Sequence, residues 1–218
     1  MAETPQQLPR TLWIGILLLL VVLCLAYALS LMELNHAHQR AFPVLGPVAG
    51  FTLMNQDGRA TTLADLSNRV WIADIIFTRC AASCPIMSQQ MKSLQDALPP
   101  ASRARLVTLT TDPDFDTPPV MKKYGERFGA DFNRWMFLTG TKAEIAGLAG
   151  DSLKLSAVPV KPEERRNDAD LFIHSTIFVI VDQHARLRGI IETQGDGVNW
   201  TNVQPRLITT VRQLERER

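Results

Sequence analysis

The sequence predicts an α/β fold: an N-terminal hairpin, a central mixed sheet flanked by helices, and one transmembrane helix ahead of them. Three observations predict it. Residues 12–32 form a run of 21 without a charge, LWIGILLLLVVLCLAYALSLM. Beyond them, short apolar runs rich in Val and Ile alternate with segments whose apolar residues recur every three or four positions, the alternation of a sheet with parallel strands. The last strong apolar run, Phe172 to Val181, is joined by Asp182-Gln183-His184-Ala185 to Leu187–Ile191, which adds a closing hairpin.

At 218 residues there is room for one domain of ordinary size and an appendage. Lys and Arg total 23 against 22 Asp and Glu, a net charge of +1 with both signs mixed along the chain. That balance argues against nucleic acid as a partner, which calls for a basic stripe. Three cysteines are too few for a disulfide scaffold. Cys24 lies inside the apolar run, so Cys80 and Cys84 remain as a pair.

Taken in order, residues 1–11 are a short tail and 12–32 a membrane anchor. A helix of that length spans a hydrocarbon core of ~30 Å. The run exceeds the ~7–15 residues of a signal-peptide apolar region, although Ala26-Tyr27-Ala28 has the form of a cleavage site and keeps that alternative open. Trp13 and Tyr27 suit the interfaces, and Arg10 leans the N-terminus weakly to the inside. The reading is a single-pass protein of a bacterial inner membrane with its domain in the periplasm. Residues 33–48 read as a linker; His36 and His38 within it are read as polar sequence rather than a metal pair. The domain occupies 49–218.

Within the domain, Phe51 and Leu53, the turn Gln56-Asp57-Gly58-Arg59 and Thr61–Leu63 predict a hairpin. Ala64–Ser67 reads as a short helical turn. Val70–Phe77 is a buried strand, and Met87, Met91, Leu94 and Leu98 mark the buried face of a helix ended by Pro99-Pro100. Arg105–Thr111 is a second strand, leading into the turn Asp112–Pro119, where Thr117 is placed to cap a helix whose first turn takes the prolines. That helix runs over 120–128, a third strand over 135–138, and a helix over 141–149 with Thr141 and Glu144 as a capping box. Lys161–Asp170, KPEERRNDAD, reads as a solvated loop, and Leu207, Ile208, Val211 and Leu214 predict a closing helix over 203–214. This order is the layout of a thioredoxin-like domain.

The chemistry concentrates between strand and helix, in Cys80-Ala-Ala-Ser-Cys84-Pro85. The N-terminal end of a helix carries unpaired N–H groups and partial positive charge, which favours thiolate over thiol. Arg79 pushes the same way if its side chain turns inward. Pro85 suits the first helical turn.

Three separated motifs resemble the SCO/SenC (PrrC) family. They are Phe77-Thr78-Arg79-Cys80-Ala81-Ala82-Ser83-Cys84-Pro85, Asp112-Pro113 through Asp116-Thr117-Pro118, and Ile173-His174-Ser175-Thr176 followed by an apolar strand and Asp182. The resemblance covers about residues 50–191. It implies a membrane-anchored, thioredoxin-like copper protein that delivers copper to the copper-A centre of cytochrome c oxidase subunit II, or keeps its cysteines reduced. Cys80, Cys84 and His174 are then the copper ligands. The loop departs from the family pattern in Arg79, Ala81 and Ala82, and Ile173 stands where an acidic residue is common, which opens the case for another copper client.

Soft thiolates select copper(I), and imidazole suits both oxidation states. The first functional expectation is therefore a metallochaperone, a delivery protein rather than an enzyme, fed by an upstream copper donor. The alternative is a thiol–disulfide oxidoreductase using Cys80 and Cys84 on a periplasmic client. A peroxidase on the same fold is a third reading, with Thr78, Arg79 and Cys80 as a faint analogy. His174 discriminates, because neither thiol enzyme has evident need of it. Zinc fits the same donors in principle. Asp112 and Asp116 are expected to shape a turn, Met87 and Met91 to sit in the core, and His184 to serve a turn.

Overall fold

The computed structural model describes residues 10–38, 42–161, 163 and 172–217; within α1 (Arg10–His38), β7 (Ala157–Pro159) and β8 (Phe172–His174) some side chains lie outside the description. The chain divides into two compact units, the first ending at Phe42 and the second beginning at Pro43.

The first unit is the helix α1, 29 residues and thus about 43 Å long. It continues past residue 32 through His38, into the stretch read as linker. Its side chains from Trp13 to Leu29 are exposed and apolar all round, with no polar face to set against a core. Among the described residues no helix is long and apolar enough to cross a membrane; spanning by residues 12–32 is taken up below as a proposal.

The second unit is an eight-stranded mixed sheet with helices packed on it. Its strands are β1 (Gly46–Pro47), β2 (Thr52–Asn55), β3 (Ala60–Thr62), β4 (Trp71–Ile76), β5 (Arg105–Thr110), β6 (Trp135–Thr139), β9 (Ile177–Val181) and β10 (Arg186–Glu192), in the order β1-β10-β9-β4-β5-β6-β2-β3. β4, β5 and β6 run parallel; β9 lies antiparallel on the other side of β4. β4 is buried at all six positions, as its uninterrupted apolar run requires of a central strand covered on both faces. The helices are α2 (Ser83–Ala97), α3 (Pro118–Arg127), α4 (Lys142–Ala146), which runs on into a wider turn over 147–152, and α5 (Trp200–Leu214).

Local rules account for most boundaries. Asn55 Oδ1 accepts from the N–H groups of Asp57 and Arg59, and Gly58 takes φ +73° where a Cβ would be strained, so the β2–β3 turn closes where Asp-Gly sits. Thr117 stands at the start of α3 with the prolines in its first turn, but its side chain makes no capping hydrogen bond. Thr141 and Glu144 form the reciprocal box that starts α4. Met87, Met91 and Leu94 are fully buried along one side of α2. α5 packs on that helix, with Trp200 Nε1 donating to Ser93 Oγ at 3.0 Å and Gln204 Nε2 to the Ser93 carbonyl at 2.9 Å.

Two expectations are corrected. Residues 172–181 are not one strand: the run breaks at Ser175-Thr176, and Phe172–His174 pairs antiparallel with β7 in a separate two-stranded sheet, Ala157 opposite His174. The polar side chains in its middle mark the break. Residues 46–48 also belong to the compact unit: β1 pairs with β10 and Val48 is buried. Most of Lys161–Asp170 lies outside the described residues.

Candidate metal centre

β4 delivers the chain through buried Phe77 to the loop Thr78–Ala82, and α2 carries it away. Cys80 N–H donates to the Phe77 carbonyl at 3.1 Å, which turns the chain back toward the helix. Cys84, the second residue of α2, is fully buried, whereas Cys80 is partly exposed. No disulfide joins them. A side-chain hydrogen bond links the two, and that bond together with burial pushes the Cys84 thiol well up, against a backbone hydrogen bond from Phe77. For Cys84 this corrects the expectation that the helix N-terminus favours thiolate. At Cys84 the shared proton and the loss of solvent outweigh the helix end. The pair presents one accessible and one sequestered sulfur, close enough to bond to each other.

The loop is held by the segment following β5. Asp116, fully buried, accepts from Thr78 N–H at 3.1 Å and also from the Thr78 and Thr110 hydroxyls. The Asp112 carbonyl takes the N–H groups of Phe115 and Asp116, at 3.0 and 2.8 Å, which makes the turn. The Asp112 carboxylate meets Arg79 at 2.5 Å, and the Arg79 guanidinium lies 4.2 Å from the centre of the Phe115 ring. Arg79 therefore spends its charge on a carboxylate and an aromatic face. The Asp-Pro…Asp-Thr-Pro stretch was read as turn-forming; its grip on Thr78 is what sequence reasoning missed, though the motif itself was the signal.

His174 ends β8, and its side chain lies outside those described. Its backbone is located by neighbours. Ser175 N–H donates to the Ser156 carbonyl at 2.9 Å, and Thr193 N–H donates to the Thr176 carbonyl at 3.0 Å. Gln194, next along, donates Nε2 to the carbonyl of Ser83 beside Cys84 at 3.1 Å. A short chain of hydrogen bonds thus connects the segment bearing His174 to the start of the cysteine helix. Nothing in the sequence signals Thr193 or Gln194. Among the described residues no three His, Cys, Asp or Glu side chains gather as a metal cluster. Met87 and Met91 are core residues, and His184 sits in the β9–β10 turn, its N–H bonded to Asp182. His36 and His38 lie in α1 with side chains outside those described.

Comparison with known proteins identifies the family and the fold. The family profile described as SCO1/SenC matches residues 45–205. The SCO1 protein homolog of Bacillus subtilis (strain 168) is 37% identical over 141 residues, 64% of this chain and 70% of that protein. The structure of BsSco, described as having a disulfide switch and as a member of the Sco family of cytochrome c oxidase assembly proteins, is similar with a TM-score of 0.67 and 28% identity, over 83% of this chain and 100% of that one. Bradyrhizobium japonicum ScoI, solved with copper bound, shares the fold with a TM-score of 0.60 and 21% identity, over 73% and 98% of the two chains.

Proposed function

The chain belongs to the SCO1/SenC family, and we propose that it is a membrane-anchored copper metallochaperone that holds copper through Cys80, Cys84 and His174 and assists assembly of the copper-A centre of cytochrome c oxidase. The observation that carries this reading is the cysteine pair: two thiols in hydrogen-bond contact, one buried and one partly exposed, at the mouth of a helix. Two soft donors so close suit copper(I), and one imidazole completes a three-donor set that still leaves an approach for an incoming ligand. Copper is the cargo. Cys80 is the sulfur a donor or acceptor protein reaches first, and Cys84 retains the ion from behind. The two carboxylate contacts to Thr78 and Arg79 hold the loop that bears Cys80. The client is cytochrome c oxidase subunit II or another copper protein, loaded from an upstream donor. Support for copper comes from Bradyrhizobium japonicum ScoI, solved with copper bound, and support for a role in oxidase assembly from BsSco, described as a member of a family of cytochrome c oxidase assembly proteins.

The anchor in this reading is residues 12–32, uncharged within a 29-residue helix. It makes the chain a single-pass protein of a bacterial inner membrane with Pro43 onward in the periplasm.

The contact between the two sulfurs also supports a second activity, thiol–disulfide exchange. Cys80 attacks a client disulfide and forms a mixed disulfide; Cys84 then displaces the client. The client disulfide is reduced to two thiols as Cys80 and Cys84 are oxidised to one disulfide.

Competition for copper(I) against a chromophoric chelator tests the main reading, using the reduced unit from residue 43 onward. One-to-one binding is expected, weakened in His174→Ala and lost in Cys80→Ser/Cys84→Ser. A reduced wild-type domain that takes no copper from the chelator removes the chaperone and leaves the exchange activity.

A further inference from the structure

Cys84 and His174 lie far apart in the chain, and the fold must bring them to one place. Two glutamines stand at the joint. Gln90, in α2 and only 7% exposed, donates Nε2 to the carbonyl of Thr193 at 2.9 Å. Thr193, itself buried, gives both its N–H and its hydroxyl to the carbonyl of Thr176, at 3.0 and 2.9 Å. Thr176 is two residues beyond His174. Gln194 donates Nε2 to the Ser83 carbonyl at 3.1 Å. From the other side, Ser175 is bonded through its N–H and its Oγ to the backbone of Ser156, at 2.9 and 3.2 Å.

Gln90 Oε1 accepts no hydrogen bond among the described residues. A buried amide with its acceptor unused is a poor way to fill space, because its desolvation is only partly offset. Leucine would fill a similar volume without that penalty. What leucine lacks is a donor for the Thr193 carbonyl, and Thr193 is the residue that holds Thr176.

From this arrangement we infer that Gln90 and Gln194 are positioning residues, which hold the segment carrying His174 against the start of the cysteine helix so that the third ligand is set in place before copper arrives. The inference rests on the copper reading above. Neither glutamine touches the metal. A ligand fixed in advance loses less conformational freedom on binding, so affinity depends on groups that make no contact with the ion.

The test uses the full chain in detergent, reduced, as wild type, Gln90→Leu and Gln194→Ala, each with and without His174→Ala. Two readouts are taken: amide hydrogen exchange at Ser175 and Thr193 without metal, and copper(I) affinity by competition. Both variants are expected to speed exchange at these amides. Each weakens copper(I) about tenfold, the lower end for supporting partners of metal ligands, and has no further effect once His174 is alanine. Unchanged exchange in both variants overturns the inference. So does an equal loss of affinity with and without His174, which marks a general effect on the fold. Equal copper binding by wild type and His174→Ala instead overturns the ligand role of His174, and the exchange data then decide the clamp by themselves.

Discussion

Asp116 is fully buried and takes three hydrogen bonds, from the Thr78 N–H and from the hydroxyls of Thr78 and Thr110. Burial pushes its carboxyl above the ordinary value, against the bonds from Thr110 and Thr78. A raised carboxyl contributes stability that is present below its unfolded value and lost as pH rises through its folded one, so at neutral pH Asp116 serves the cysteine loop rather than stability through ionisation. Asp112 meets Arg79, whose side chain is 42% exposed, and solvent screens that pair. Both carboxylates are buried, and their partners separate them: Arg79 is exposed, whereas Asp116 is bonded to Thr78 and to buried Thr110. Asp116→Ala strands the Thr78 N–H and is expected to lower unfolding free energy by about 2–3 kcal/mol, whereas Arg79→Ala is expected to change it by less than about 1 kcal/mol. Urea denaturation of the unit from Pro43 onward checks both, and equal shifts would contradict the assignment. The contrast was half legible in the sequence. Both aspartates stand in one recognisable motif, but only packing shows that one holds the Thr78 backbone and the other meets an exposed arginine.

At the scale of elements, α2 seats Cys84 while fully burying Met87, Met91 and Leu94. Met91→Ala leaves a hole under that helix and is expected to cost about 2–5 kcal/mol of stability, read as a lower melting temperature. A shift no larger than that of a surface substitution would place the helix elsewhere. The periodicity that reveals α2 is plain in the sequence, as are the hairpin β2–β3, the parallel strands β4, β5 and β6, and the box at Thr141. The missed elements share a cause. β7 is three residues, Ala-Val-Pro, too short to show alternation and ending in a residue that cannot donate to a ladder. Phe172–Val181 looks continuous because both halves are apolar; only the pairing partners, β7 for one and β10 for the other, reveal two strands. α5 begins at Trp200, capped by Asn199, three residues ahead of the expected start and with Pro205 in its interior. Gln90 and Gln194 carried no signal, since their partners lie about a hundred residues away and are backbone carbonyls.

For the whole molecule, the β9–β10 turn is closed by buried charge. Asp182 accepts from the N–H groups of His184 and Arg186, and its carboxylate meets Arg188, with side chains 2% and 3% exposed. Burial pushes the Asp182 carboxyl up, but Arg188 and Arg186 outweigh it and hold it below its ordinary value of 3.8. A depressed carboxyl contributes stability that is present above its unfolded value and lost as pH falls through its folded one. Unfolding free energy should therefore fall on acidification below about pH 4, and Asp182→Ala should flatten that limb while costing about 3 kcal/mol at neutral pH by leaving Arg188 buried with one partner fewer. An acid limb unchanged in the variant would assign the loss to other groups. The two glutamines are proposed to hold the segment that carries His174 near the start of the cysteine helix, and Cys80, Cys84 and His174 as one copper site are the central claim. X-ray absorption at the copper edge of the copper(I)-loaded protein tests it most directly. The account predicts two sulfurs and one imidazole nitrogen on the metal, with the imidazole signal gone and the sulfurs kept in His174→Ala. An imidazole signal that survives His174→Ala, or sulfur scattering that survives Cys80→Ser/Cys84→Ser, would contradict it.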